Sequence, residues 1–293
     1  MSKISHLVKE TAKGIVIGVA NIIPGVSGGT MAVSMGVYDK LISAVTELKK
    51  NFKQSIIFLL PYIIGAVAGI ALLSFVVRYT LTTWPLQTAG LFIGLILGGL
   101  PVILQNFRGQ KISIHHGVAF LIFFALVIVM SLGQGNESTA TDFILSPGIM
   151  IQLFFVGIIA AATMIIPGVS GSMVLMILGF YNGIISNISS FIEAIVSFDT
   201  VAIAHGFGVF VPFGIGILIG IAVIAKIIKW LFEHAPVLTY SAILGLIIAS
   251  PIAIFLETGI QDTDFLQITV SIITLSIGFG IAFFLAREKK ETV

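Results

Sequence analysis

The heptapeptide Ile22-Ile23-Pro24-Gly25-Val26-Ser27-Gly28 recurs without a gap as Ile165-Ile166-Pro167-Gly168-Val169-Ser170-Gly171, at an offset of 143. Each copy breaks an apolar stretch in its middle, the first at 14–37 and the second at 151–181. The same offset pairs Gly14 with Gly157, Gly36 with Gly179, Tyr38 with Tyr181, Asp39 with Asn182 and Ser43 with Ser186. At an offset of 151, Pro61 pairs with Pro212, Gly65 with Gly216, Gly69 with Gly220, Arg78 with Lys229, Pro85 with Pro236, Thr88 with Thr239 and Gly94 with Gly245. A match this long is an internal duplication, and it constrains the fold to two copies of one unit. The halves fall at about 1–145 and 146–293.

What lies between the breaks sets the solvent. Six segments, 56–77, 88–105, 117–133, 206–225, 238–256 and 266–286, are apolar for the roughly 17–25 residues that a helix needs to cross a bilayer. Only 10% of the residues are charged and the mean hydropathy is +1.14, whereas a soluble domain carries about a quarter charged residues. Backbone polar groups in hydrocarbon must be satisfied internally, so the expected fold is all-α and integral to the membrane. A net charge of +2, with Lys and Arg in loops and not in one stripe, gives no footing for nucleic acid. With no cysteine, disulfides, thiolate metal sites and Cys nucleophiles are excluded. Lys3, Lys9 and Lys13 precede any long apolar core, which reads as an uncleaved cytoplasmic start.

Charge then orients the segments. With the N-terminus inside, and each broken stretch entering and leaving by one face, the inner loops collect Lys3, Lys9, Lys13, Lys40, Lys49, Lys50, Lys53, Arg108, Lys111, Lys226, Lys229, Arg287, Lys289 and Lys290. Of the 15 basic residues only Arg78 is left outside, at a helix end. The outer loops, near 134–150, 182–205 and 257–265, hold acids and no Lys or Arg. This is the positive-inside pattern, and making each broken stretch a full crossing would destroy it. The expectation is therefore two re-entrant helical hairpins, at about 14–45 and 151–190, each followed by three transmembrane helices. Three crossings per half invert the second repeat relative to the first, the architecture of many secondary transporters.

Something must satisfy the backbone at the two hairpin tips. Ser27 and Ser170 stand where an N-cap of the second half-helix belongs. Gly28, Gly29 and Gly171 allow close approach of a ligand to the main chain, Thr30 and Ser172 add hydroxyls, and Asn21 precedes the first tip. Free amides at a helix N-terminus favour an anion, so two inward-facing anion cradles are expected. Small residues also serve plain helix packing. Arg78 and Lys229, at equivalent positions, would meet an anionic headgroup at opposite faces or act as snorkelling anchors. No acid falls in the six spanning cores, and Asp39, Glu193, Asp199 and Glu257 lie in or near loops. The spanning cores hold no Cys, His or carboxylate cluster for phosphoryl chemistry, so neither an enzyme nor a metal or other cofactor is expected.

The paired tips, each followed by Gly-x-Tyr-[Asp/Asn] at 36–39 and 179–182, resemble the PopT-type polyprenyl-phosphate transporters over nearly the whole chain. One departure is Ser172, which stands where the first tip has Gly29. The resemblance implies a transporter of the bacterial cytoplasmic membrane, with both termini cytoplasmic. It would return undecaprenyl phosphate from the outer to the inner leaflet, so that the carrier serves again in wall synthesis. It also implies a polyprenyl-phosphate lipid as partner, membrane lipids around it and homo-oligomerisation left open. An ion-coupled small-anion transporter or a channel would use the same architecture and stays open as the alternative.

Overall fold

A computed structural model describes residues 3–21, 26–132, 143–258 and 264–286. Ile22, Ile23, Pro24 and Gly25 of the first tip, the side chains of Lys3 and Arg78, and Arg287, Lys289 and Lys290 lie outside the described residues, as do parts of the loops near 134–150 and 257–265. Among the described residues there are twelve α-helices and no strand: α1 (Lys3–Ala20), α2 (Gly28–Ser34), α3 (Tyr38–Thr46), α4 (Phe52–Thr83), α5 (Pro85–Gln105), α6 (Ile114–Leu132), α7 (Pro147–Ile165), α8 (Gly171–Ile177), α9 (Tyr181–Ser197), α10 (Thr200–His234), α11 (Pro236–Thr258) and α12 (Phe265–Ala286).

Seven of these helices are long and apolar enough to cross a membrane, namely α7 and those containing the six expected segments. The addition is α7. It is the first arm of the second broken stretch, continuous over Pro147–Ile165 and about 28 Å long, close to a bilayer's apolar thickness. Its sequence carries no breaker before Pro167, so the break falls after α7, at 166–170.

Two compact units emerge from the packing. One comprises 1–132, 166–169 and 225–293; the other comprises 133–165 and 170–224. In the first, α1 packs on α4, α12 on α5, and α6 on α11, while α2 lies buried against α1 and α5. In the second, Val156 and Ala160 of α7, Leu175 of α8 and Ile184 of α9 form the core, with Phe143, Phe180, Tyr181 and Phe213 around it.

Small residues allow these contacts, and they do so at paired positions. A Cβ on Gly14 would lie 2.5 Å from the Tyr62 carbonyl oxygen, and one on Gly157 would lie 2.3 Å from that of Phe213. Gly65 abuts the Thr11 carbonyl as Gly216 abuts that of Phe154, and Gly69 meets Ile15 as Gly220 meets Ile158. Each residue in the second set is the repeat partner of one in the first. The backbones of α1 and α4, and of α7 and the first part of α10, thus approach in one register. Between membrane helices, such packing replaces a hydrophobic drive that lipid cannot supply.

The turns repeat as well. Gly36 (φ +67°) and Gly179 (φ +75°) end α2 and α8 in the left-handed region. Gly36 N–H donates to the Val33 carbonyl and Val37 N–H to that of Ala32; Gly179 donates to Met176 and Phe180 to Leu175. Both ends are Schellman caps, which only glycine adopts without a Cβ penalty. The second cap bends the chain by 109° between α8 and α9.

Candidate functional site

Ser27 has an extended backbone (φ −113°, ψ 148°), and its Oγ accepts the Thr30 amide at 3.1 Å, so it is the N-cap of α2. Asn21 closes the same end. Its Oδ1 accepts the Gly28 amide at 3.0 Å, while its Nδ2 donates to the Ile17 carbonyl at 3.0 Å. An added Cβ at Gly28 would lie 2.7 Å from Asn21 Nδ2, so a side chain there would displace the Asn21 amide.

The second tip comes to the same point. Gly168 N–H donates to Thr30 Oγ1 at 2.6 Å and to Ser27 Oγ at 3.2 Å. The two hydroxyls are themselves 3.0 Å apart, and Thr30 and Ser27 are 0% and 2% exposed. Proton bookkeeping then matters. Two hydroxyls carry two protons, and their mutual contact uses one. Both oxygens already accept amides, so one O–H has no acceptor among the described residues and is available to an incoming oxygen.

Ser170 occupies the N-cap position of α8 (φ −83°, ψ 123°), but its side chain caps nothing. Its Oγ lies 2.9 Å from Ser172 Oγ instead. Where the first tip has Gly29, Ser172 supplies an alternative hydroxyl partner. The result again is a hydroxyl pair, Ser170 with Ser172, beside Gly171, whose open side faces Met164 and Thr163 at 3.3–3.4 Å.

Lys229 is not brought to these tips. Its Nζ donates to Glu47 Oε1 at 2.8 Å, at the C-terminal end of α3. That hydrogen bond and the ammonium's charge hold the Glu47 carboxyl below the usual carboxylate range. Arg78 lies in α4 with its side chain outside the described residues.

Two features escaped the sequence reading. Glu10 and Lys13 of α1 are 4% and 0% exposed, with Nζ 3.4 Å from Oε1. The available signal was their i, i+3 spacing just before the apolar run that starts at Gly14. The other is a cavity of about 190 Å³ where Gly36, Tyr38 and Asp39 meet Asn106, Phe232 and Tyr240. The Gly-x-Tyr-Asp motif had marked one wall of it.

Seven helices of membrane length and composition mark a multi-pass membrane protein. The family model described as undecaprenyl phosphate translocase-like matches residues 17–211 and 202–293, and the chain belongs to that family. It is similar to a polyprenyl-phosphate transporter of Staphylococcus aureus (strain NCTC 8325 / PS 47), with 28% identity over 95% of this chain and 96% of that one. It is also similar to a polyprenyl-phosphate transporter of Vibrio cholerae serotype O1 (strain ATCC 39315 / El Tor Inaba N16961), with 26% identity over 81% and 74%. No solved structure gives a significant match. The chain is a transporter and not an enzyme.

Proposed function

We propose that this protein carries a polyprenyl phosphate, undecaprenyl phosphate in particular, from the outer to the inner leaflet of a bacterial cytoplasmic membrane. The observation that carries the reading is the Gly168 amide seated on the Ser27–Thr30 hydroxyl pair, which joins the two duplicated tips at one point. A phosphate monoester brings acceptor oxygens that suit amide and hydroxyl donors, while its prenyl tail stays in lipid. The names of both relatives point to the same substrate class.

In this reading the halves 1–145 and 146–293 are inverted repeats with re-entrant tips and cytoplasmic termini. The recurrence of the α1–α4 glycine contacts between α7 and α10 supports it. Asn21, Ser27, Gly28, Gly29 and Thr30 form one phosphate cradle, and Ser170, Gly171 and Ser172 form a second. Arg78 and Lys229 meet the headgroup at opposite faces, and Lys229 leaves Glu47 to do so.

The test is leaflet-to-leaflet movement of undecaprenyl phosphate in proteoliposomes, comparing native protein with a Ser27→Ala, Ser170→Ala double variant. Native transport that the folded variant loses supports substrate and site together. Transport that survives in the variant removes the serines from the site. Absence of native transport under several ion and pH gradients turns the reading toward a small-anion transporter.

A further inference from the structure

The cavity of about 190 Å³ beside the Gly36 turn carries side-chain charge of one sign. Asp39 puts a carboxylate on its wall, and no Lys, Arg or His lines it among the described residues. Lys40, next in sequence, lines a separate hollow with Glu47. Asn106 Nδ2 donates to the Val102 and Ile103 carbonyls at 3.2 and 3.3 Å, so its Oδ1 is the atom left to offer. Gln105, the last residue of α5, brings that helix's negative end to the cavity. The Ala286 carbonyl, in the last turn of α12, adds a second, 3.8 Å from where a Gly36 Cβ would stand.

The rest of the wall is largely aromatic. Phe232 stands between two tyrosines, its ring centroid 6.2 Å from that of Tyr38 and 5.1 Å from that of Tyr240. All of these groups belong to the first unit. An acid in the first turn of α3 also answers that helix's own positive end. That role accounts for the charge, but not for a hollow walled by three rings. A phosphate is refused here, because Asp39 repels it and no base receives it. A metal ion wants several oxygen ligands, and no group of three His, Asp or Glu converges among the described residues. An ammonium on an alkyl stem suits both walls. Its N–H donors meet Asp39 and Asn106, and its charge and methylenes meet the rings.

We propose that this cavity binds an alkylammonium group, carried by an aminophospholipid headgroup or by a free amine. At roughly 30 Å³ for each water-sized group, the cavity takes about six such groups, enough for an ethanolammonium. Asp39 and Asn106 are exposed while Tyr38 is buried, so the charged end of the ligand sits at the mouth. The occupant joins the start of α3 to the end of α5 and to the α10–α11 corner. It thereby steadies the arm that leads away from the first tip. The second copy of the motif has Asn182 where Asp39 stands, so the acid is particular to the first copy. The site stands apart from the transport reading, since nothing in it receives a phosphate.

The experiment follows the thermal unfolding midpoint of the purified protein in detergent at neutral pH as ethanolamine hydrochloride is added. Sodium chloride at equal ionic strength is the control, and ethanolamine should stabilise the native protein beyond it. Asp39→Asn, which imports the residue of the second copy, should weaken the apparent affinity by about tenfold or more. Phe232→Leu should weaken it by about threefold, and Asp39→Glu should retain most of it. Gln105→Arg keeps the test open if Asp39→Asn does not fold. An exposed base at the end of α5 is favourable there and engages Asp39 in place of the ligand, so binding should be lost. A second arm compares nanodiscs with and without phosphatidylethanolamine. Stabilisation by that lipid which Asp39→Asn loses assigns the headgroup, and stabilisation by ethanolamine alone assigns the free amine. Equal midpoints in ethanolamine and sodium chloride, with no difference between the nanodiscs, overturn the site and leave the transport reading standing. Ethanolamine binding that is the same in native protein, Asp39→Asn and Gln105→Arg overturns it as well.

Discussion

The Gly168 amide and Thr30 Oγ1, 138 residues apart in sequence, are joined by a 2.6 Å hydrogen bond. The bond ties the second tip to the first turn of α2, in surroundings where an unsatisfied amide has no water to turn to. Thr30→Val keeps the shape and removes the acceptor. It should cost about 1–3 kcal/mol of stability, read as a lower midpoint of thermal unfolding in detergent, while Thr30→Ser stays close to native. Equal midpoints for all three proteins would show that the bond holds nothing.

Gly168 itself tolerates no side chain. Its φ is +78°, and an added Cβ would lie 2.9 Å from both the carbonyl oxygen and the Cβ of Leu246 in α11. Gly168→Ala therefore meets backbone strain of roughly 1–2 kcal/mol together with a clash that backbone cannot easily relieve. Protein yield and thermal midpoint should fall clearly below those of the control Gly148→Ala, whose nearest outside atom is 3.8 Å away. A Gly168→Ala protein as stable as that control would contradict the geometry.

Much of this architecture can be read in the residues, because its signals are local or duplicated. Apolar length reports spanning helices directly, and Ser27 before Gly28 is an N-cap signature that the backbone confirms. Ser170 shows the limit. Its identity and position match Ser27, but its hydroxyl goes to Ser172, a choice set by a neighbour that the first copy lacks. Where the second stretch breaks is legible in Pro167, the first proline after Pro147. Glu10–Lys13 and Glu47–Lys229 were hidden for another reason. Burial and partnership are tertiary properties, and a basic residue near a terminus looks the same in sequence whether it faces water or, like Lys13, none at all.

Lys229 can be separated from its partner. In the proposed cycle its ammonium leaves Glu47 for the headgroup, so Lys229→Met should lower transport, whereas Glu47→Gln frees the ammonium and should not. The pair also has a pH signature. The Glu47 carboxyl lies below its ordinary 4.5 because Lys229 stabilises the charged form. Its contribution is therefore present above that ordinary value and is lost as pH falls through the lowered folded value. Acid titration of the native protein should show this loss, and Glu47→Gln should not. Equal loss of transport in both variants would make the pair a structural latch.

The glycines that seat one helix on another divide cleanly from those that do not. A Cβ on Gly94 would lie 2.0 Å from the Leu275 carbonyl oxygen, and one on Gly245 2.3 Å from that of Phe120, whereas Gly117 and Gly280 have nothing within 4 Å. Alanine at Gly94 or Gly245 must push α5 from α12, or α11 from α6, at a cost of about 1–3 kcal/mol for overpacking. Alanine at Gly117 or Gly280 should be neutral or slightly stabilising, since it reduces the freedom of the unfolded chain. Monodispersity after heating separates the two groups, and overlap between them would remove the close-packing argument.

The absence of cysteine gives a clean background for placing the loops. Single cysteines at Lys50 and Lys111, both exposed, should resist a membrane-impermeant maleimide in intact cells and react after permeabilisation. Cysteines at Ile144, Asp199 and Asp264, also exposed, should react in intact cells. The discriminating position is Lys50. It follows the first break and precedes α4, so a re-entrant first hairpin leaves it inside with Lys40, Lys49 and Lys53. A full crossing would carry all four lysines outside, against the charge bias that orients membrane proteins. Labelling of Lys50→Cys in intact cells would replace the re-entrant hairpin with a crossing, and with it the inversion of the two repeats.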